Sequence, residues 1–178
     1  MLLIKYKNIL LLSTLLLIQL VSGVHAYAAS DDVFNKSGLP VPRFVSLAND
    51  ETNVRAGPGQ KYPIKWVINR KGLPVEVILE FEHWRKIKDH DGQEGWVFHT
   101  LLSGKRTALI NSKNTVDVYE KPADSNGKKQ RVSIRLESGV QVNIGRCDGS
   151  WCKVEVSGFS GWVERKSLWG VYADENFE

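Results

Sequence analysis

The sequence predicts an all-β protein in which a signal peptide precedes two small tandem β-barrels. Three observations support this fold class: an apolar leader, a duplicated order of landmarks, and short runs of alternating apolar residues separated by turn residues. We divide the chain into a signal peptide (1–28), a disordered lead-in (29–42), two β domains (43–105 and 106–171) and a loose tail (172–178).

The leader has the order of a secretory signal peptide. Lys5 and Lys7 precede an apolar run from Ile9 to Val21, and the small residues of Ala26-Tyr27-Ala28 fit a cleavage site. The run is shorter than the roughly twenty residues that span a bilayer. We therefore expect a periplasmic or secreted protein without stable membrane insertion after cleavage, and an uncleaved anchor is the alternative.

The overall charge disfavours nucleic acid as a partner. The chain has 24 basic and 20 acidic residues, a net charge of +4, and two of the basic residues are leader lysines, which leaves 22 minus 20, or +2. General nucleic-acid binding requires a dense basic face. The basic cluster at residues 126–131, "NGKKQR", is typical of a solvated loop.

The two cysteines, Cys147 and Cys152, are predicted to form a disulfide. Export favours their pairing, and Asp148-Gly149 between them is a turn signal that would place the sulfurs across a hairpin. A metal site is disfavoured because the spacing lacks a second ligand pair, and a catalytic thiol because pairing in a disulfide with a cysteine five residues away would silence it.

The chain repeats itself with a period of about 65 residues. Residues 44–58 align with 108–122 at a shift of 64, Trp84 aligns with Trp151 at 67, and the Gly-Trp-Val triplet at 95–97 aligns with that at 161–163 at a shift of 66. We interpret these landmarks as two copies of one unit of about 60 residues, the second more divergent.

Alternating apolar residues predict β-strands in both copies. Val140, Val142 and Ile144 are predicted to share one inward face in the second copy, and Val75, Val77 and Leu79 in the first. The short joint at 103–107 favours a compact pair of domains over two freely moving ones.

The loop at 53–59, "NVRAGPG", does not fit a nucleotide site. A phosphate-binding loop needs glycines at set spacings before a helix, whereas Tyr62 occupies the position of the third glycine and a strand-like segment follows. We expect Gly57 and Gly59 to permit unusual backbone angles around Pro58. The matching stretch in the second copy lacks both glycines.

The order of motifs along the chain resembles that of the bacterial Src-homology-3-like (SH3b) domain family. These motifs are "NVRAGPG", a glycine before a β-rich strand, W-x-K-[IV], and G-W-V with a following leucine. The resemblance covers about 43–104 well and 107–170 more weakly. It implies tandem SH3-like barrels and a noncatalytic binding module that contacts peptidoglycan or peptides. The partner would be a cell-wall glycopeptide or an envelope peptide or protein. A protein-interaction adaptor and an inhibitor of an exported enzyme are the alternatives.

Aromatic side chains are the candidate ligand-binding residues, because rings offer rigid contact area at low entropic cost. In the first copy these are Tyr62, Trp66, Trp84, Trp96 and His99, and in the second copy Trp151, Trp162 and Trp169. Since the tryptophans at 84, 96, 151 and 162 recur at matching places, barrel packing is an alternative role for them. Tyr62 and His99 have no apparent counterpart in the second copy.

The sequence contains no recognisable catalytic constellation, so we expect no enzyme, cofactor or metal. The serines lack a G-x-S-x-G motif. The carboxylates between 80 and 94 alternate with basic residues, which indicates solvated charge rather than a glycosidase pair. The glycine-rich loop carries Lys61 and no acid, which disfavours recognition of polyproline with a paired arginine.

Overall fold

The computed structural model describes residues 34–123, 126–128 and 130–176. The predicted signal peptide lies outside these residues. Within them the chain forms fourteen β-strands and two short 3-10 turns, with no α-helix. The predicted all-β fold class is confirmed.

Each copy supplies seven strands. Copy one (43–105) contains β1 (Arg43–Leu47), β2 (Thr52–Arg55), β3 (Ile64–Ile68), β4 (Pro74–Phe81), β5 (Trp84–Lys88), β6 (Glu94–Phe98) and β7 (Leu102–Ser103). Copy two (106–171) contains β8 (Thr107–Ile110), β9 (Val116–Tyr119), β10 (Val132–Leu136), β11 (Gln141–Asp148), β12 (Trp151–Val156), β13 (Phe159–Glu164) and β14 (Leu168–Trp169).

The two copies have the same topology. The first sheet has the order β3-β2-β6-β5-β4-β1-β7 and the second β10-β9-β13-β12-β11-β8-β14, so each strand of copy two takes the place of the strand seven earlier. A 3-10 turn precedes the last strand of each copy, at His99–Leu101 and at Arg165–Ser167. This identity of order confirms the predicted tandem duplication.

Each sheet encloses its own apolar core. Copy one buries Val45, Leu47, Val54, Val75, Val77, Ile87 and Val97. Copy two buries Ala108, Ile110, Val116, Val118, Leu136, Val142, Ile144, Cys147, Cys152, Val154, Val163 and Leu168. Most of these residues are β-branched, which suits side chains packed on a pleated, half-buried surface.

An extra residue interrupts the alternation in the long strand of copy one. The pairing of β4 with β5 is regular up to Val77 and shifts by one residue before Leu79. Because a β-bulge moves the following side chains to the opposite face, Glu80 is fully buried while Leu79 is half-buried. The prediction that Leu79 shares the inward face of Val75 and Val77 is therefore wrong.

The buried Glu80 carboxylate organises the segment before β1. It accepts hydrogen bonds from the Ser37 amide (3.1 Å) and hydroxyl (2.9 Å) and forms ion pairs with Arg43 (2.6 Å) and Arg85 (3.0 Å). Phe34 also forms a β-bridge to Phe81. The prediction of a disordered lead-in therefore fails for residues 34–42, because contacts distant in sequence hold them.

Copy two has a matching bulge and a different pair of residues after it. The register of β11 with β12 shifts between Ile144 and Arg146, and Cys147 then lies directly opposite Cys152. The two sulfurs are bonded and both residues are buried. The predicted disulfide is confirmed. Gly149, with a φ of 53°, provides the turn between the strands.

The two copies pack on each other. The Phe44 ring contacts the rings of Trp169 (5.2 Å between centroids) and Tyr172 (4.7 Å), and the Tyr172 hydroxyl donates to the Glu76 carboxylate at 2.8 Å. At the joint, the Thr107 hydroxyl donates to the Gly72 carbonyl at 2.7 Å. These contacts agree with the expected compact pair.

Residues 172–176 are not the loose tail that the sequence predicts. Arg106 pairs with Glu175 and donates to the Gly170 carbonyl, and Arg165 donates to the carbonyls of Tyr172 and Ala173. Burial raises the pKa of the Glu175 carboxyl, but hydrogen bonds from Arg106 and the Tyr172 amide outweigh it and leave the pKa below its usual value. Residues 177 and 178 lie outside the described part of the chain.

Replacing both Cys147 and Cys152 by serine should lower the stability of the protein by roughly 2 kcal/mol, the loop-entropy value for so small a ring, without abolishing the fold. The measurement is the thermal unfolding midpoint by circular dichroism. Wild-type protein in reducing agent should unfold together with the variant. Two free thiols found by mass spectrometry in untreated protein would contradict the disulfide.

Acid should destabilise the protein through Glu80. Burial raises the pKa of its carboxyl, yet hydrogen bonds from Ser37 and Arg43 and the charge of Arg85 outweigh this and lower the pKa below the usual 4.5. The resulting stabilisation is present above pH 4.5 and lost as the pH falls through the lowered value. Glu80→Gln should be less stable at pH 7, and its difference from wild type in melting temperature should shrink below pH 4.5. Parallel curves down to pH 2 would contradict the assignment.

Candidate functional site

The glycine-rich loop of copy one is built around the Tyr62 ring. A Cβ atom on Gly57 would lie 2.6 Å from the Tyr62 Cδ1 atom, and one on Gly59 would lie 3.4 Å from Cδ2. Neither glycine has a positive φ. The expectation that they permit unusual backbone angles is therefore wrong: they leave room for the ring. Tyr62 remains 36% exposed.

Arg55 holds this loop on the sheet. Its Nη1 atom donates to the Gln60 carbonyl (3.2 Å) and to the Tyr62 carbonyl (2.8 Å). Arg55 is the last residue of β2 and lies directly opposite Trp96 on β6. Since directly opposite residues share one face of a sheet, the loop is fixed beside Trp96.

A row of rings continues along β6 from this point. Trp96 and Phe98 alternate with the buried Gly95 and Val97 and are half-buried, so they point to the outer face. Phe98 lies opposite Trp84 on β5, with 5.4 Å between ring centroids. We call Tyr62, Trp96, Phe98 and His99 the outer aromatic row.

His99 ends the row, and His83 lies beside it. The His83 and His99 rings lie 5.5 Å apart, and Phe98 contacts His99 at 4.9 Å. Both histidines are exposed. The His99 amide donates to the His83 carbonyl at 2.9 Å, and in copy two the Arg165 amide donates to the Ser150 carbonyl at 2.8 Å. Arg165 is thus the positional counterpart of His99 that the sequence comparison missed.

Two of the predicted ligand-binding residues have structural roles. Trp66 packs against the core of copy one, and a Cβ atom on Gly95 would come within 3.2 Å of its ring. Trp84 is only 9% exposed beneath Phe98. The structure therefore separates these two tryptophans from Tyr62, Trp96 and His99.

The equivalent face of copy two is closed. Trp162, the counterpart of Trp96, is 8% exposed, and the Arg146 guanidinium lies 5.1 Å above its ring. Trp151 is half-buried against Tyr119. Trp169 packs at the contact between the copies. None of these three predicted candidates offers a free ring comparable to Tyr62.

Positive charge surrounds the outer aromatic row. Lys61 lies 5.5 Å from the centre of the Tyr62 ring, and Lys65 donates to the Glu94 carbonyl at 2.8 Å. Lys86 forms a 2.6 Å ion pair with Glu94. Hydrogen bonding and charge from Lys86 lower the pKa of the Glu94 carboxyl, so Lys86 and Glu94 largely neutralise each other. Arg55, Lys61 and Lys65 leave a surplus of positive charge.

A hollow of about 680 Å³ lies in copy two beside Trp151, Arg165 and Lys166. Three of its charged side chains, those of Glu164, Arg165 and Lys166, already have partners. Lys166 pairs with Glu164 at 2.5 Å, and Arg165 donates to two backbone carbonyls and to Asn176. The outer aromatic row has the exposed rings of Tyr62 and His99. Beside it, Arg55 and Lys61 form no ion pair with an acid of the described residues, so the row is the stronger candidate for ligand binding.

Phe98, His83 and Arg55 belong to this surface although the sequence did not identify them as candidates. Phe98 could have been found from its spacing of two residues from Trp96 on one strand. The position of Arg55 opposite Trp96 depends on pairing between β2 and β6, which are 41 residues apart in sequence, 96 minus 55. Sequence alternation does not reveal such a pairing.

Metal-binding clusters and membrane-spanning helices are both lacking in the described residues. No three His, Cys, Asp or Glu side chains there are grouped so that they could hold a metal ion. In the same part of the chain, no helix has the length and apolar character needed to cross a lipid bilayer.

Comparisons with known proteins match both copies. The sequence model of a family described as "Bacterial SH3 domain" matches residues 48–104 and 112–170. The chain is 28% identical over 123 residues to "Putative N-acetylmuramoyl-L-alanine amidase YrvJ" of Bacillus subtilis (strain 168), covering 66% of this chain and 24% of the amidase. The chain thus corresponds to about a quarter of that protein's length.

Two solved structures give weaker likenesses. NlpC2 from Trichomonas vaginalis superposes with a TM-score of 0.33 at 9% identity, covering 74% of this chain and 49% of that chain. An NlpC/P60 family protein from Bacillus cereus ATCC 10987 gives a TM-score of 0.31 at 11% identity, covering 70% and 55%.

Replacing Gly57 by alanine should displace the Tyr62 ring, because the new methyl group would lie 2.6 Å from it. Gly59→Ala, at 3.4 Å, should have a smaller effect, and Gly104→Ala, which meets no atom within 4 Å, should have none. The measurement is the NMR chemical shift of the Tyr62 ring protons in each variant. Equal spectra for the Gly57 and Gly104 variants would contradict the packing described.

Proposed function

This chain belongs to the bacterial SH3 domain family, and we propose from that premise that it is a noncatalytic module that binds cell-wall peptidoglycan outside the cytoplasm. The observation that carries the proposal is the outer aromatic row of copy one. Its rings are held in place by the strands and by the Tyr62 loop. Preorganised rings bind with little loss of conformational entropy.

The cell wall as the binding partner is supported by the relative from Bacillus subtilis. That protein is named as a putative N-acetylmuramoyl-L-alanine amidase, and N-acetylmuramoyl-L-alanine is the unit where the glycan of peptidoglycan meets its peptide. Because this chain covers only 24% of the amidase, we attribute binding to it and not the amidase activity.

The absence of catalysis is part of the proposal. Both cysteines are engaged in the disulfide. Glu80 is buried between two arginines, and Glu94 is paired with Lys86. The Asp89 carboxylate accepts a hydrogen bond from the Gln93 amide in the turn after β5. These carboxylates therefore have structural partners in place of a role as general acid or base.

A location outside the cytoplasm is supported by the Cys147–Cys152 disulfide, since such bonds persist mainly in oxidising compartments. The apolar leader of the sequence agrees with export.

Purified peptidoglycan should retain the wild-type protein in a pull-down assay. Tyr62→Ala and Trp96→Ala should each weaken retention roughly tenfold, which corresponds to about 1.4 kcal/mol, because each removes a ring of the outer aromatic row. Phe159→Ala is the matched control, since Phe159 is 53% exposed on a hairpin of copy two. It should bind as wild type does.

Retention no greater than that of an unrelated protein would overturn the proposal. If crosslinking in cells then recovered a single protein partner, the adaptor or inhibitor alternative would replace it.

A further inference from the structure

We infer that Arg55 recognises a carboxylate of the ligand, so that copy one selects peptides with free carboxylates. This inference rests on the proposed function and deepens it. It assigns the chemical class of the ligand group and the residue that contacts it. The rings of the outer aromatic row would then contact the apolar parts of the same peptide.

The guanidinium of Arg55 is held in place by hydrogen bonds from only one of its three nitrogens. Nη1 donates to the carbonyls of Gln60 and Tyr62. Nε and Nη2 donate to no other described residue, and Arg55 has no acidic partner among them. Arg55 is half-exposed. Two nitrogens of a fixed planar group, with three N–H donors, therefore remain available at the surface.

The remaining donors suit a carboxylate. A guanidinium binds a carboxylate with two parallel hydrogen bonds, which are stronger than those between neutral groups. The contacts to Gln60 and Tyr62 fix the orientation of Arg55 before binding, so less side-chain entropy is lost on forming the pair.

The surrounding charges favour an anionic ligand. Lys61 and Lys65 lie beside the row, each above an aromatic ring, at 5.5 Å and 4.9 Å from the ring centre. The nearby acid Glu94 is engaged by Lys86. An approaching carboxylate therefore meets a positive surface, and its binding should weaken as the salt concentration rises.

Copy two lacks this arrangement at the same position. Tyr119 replaces Arg55 opposite Trp162, and its hydroxyl donates to Asp117 at 3.2 Å. The cation close to Trp162 is Arg146, which covers the ring instead of standing beside it. The inferred selectivity therefore belongs to copy one.

The test compares two forms of one ligand. A peptidoglycan stem peptide with free carboxylates and the same peptide with its carboxylates amidated are titrated into the full-length protein by isothermal calorimetry. The free acid should bind at least tenfold more tightly. Arg55→Gln should remove this difference, and Arg55→Lys should retain part of it. Arg131→Gln, the same charge change at an 81% exposed side chain in copy two, is the matched control.

The outcomes separate this inference from the proposed function. Equal affinity of wild-type protein for both peptides overturns the role of Arg55 while peptidoglycan binding stands. Failure to retain whole peptidoglycan overturns the proposed function. Because Arg55→Gln also removes the contacts that hold the loop, the comparison of the two peptides on wild-type protein decides the question even if that variant is disordered.

Discussion

The structure of each copy depends on one β-bulge in its long central hairpin. In copy one the bulge turns Glu80 inward, opposite Arg85, and in copy two it turns Cys147 inward, opposite Cys152. Glu80 and Arg85 align with Cys147 and Cys152 at a shift of 67 residues, so the two pairs occupy equivalent positions. One copy closes this hairpin with a buried ion pair and the other with a covalent bond. A buried carboxylate is stable only when its partners are in place, and Glu80 has three: Arg43, Arg85 and Ser37.

The buried pair that each copy carries affects how the segment flanking that copy is held. A carboxylate has acceptor capacity beyond one arginine, and Glu80 uses it to hold Ser37 and Arg43 in the segment before β1. A disulfide has no comparable capacity. In copy two the adjoining chain is instead held by two other cations, Arg106 and Arg165, which bind residues 170–176. Each copy therefore fixes its flanking segment, but with different residues.

Sequence reasoning recovered what depends on local pattern. The duplication, the strands and the cysteine pair all follow from spacing and alternation. The bulge does not, because Val75, Val77 and Leu79 alternate without a gap and nothing in that stretch marks the extra residue. The ordered segments at both ends depend on contacts far apart in sequence, such as Tyr172 to Glu76. In the candidate site, Tyr62, Trp96 and His99 were identified as candidates, whereas the register that places Arg55 beside Trp96 was not.

The two copies differ in their outer faces although both carry the bulge. In copy two the residue that follows the bulge and precedes Cys147 is Arg146, and its guanidinium covers Trp162. The equivalent residue of copy one is the aliphatic Leu79, which carries no cation to place above Trp96. Copy two also lacks the glycines that admit a ring such as Tyr62. The Tyr62 ring of copy one thus stays exposed, whereas the Trp162 ring of copy two is covered by Arg146.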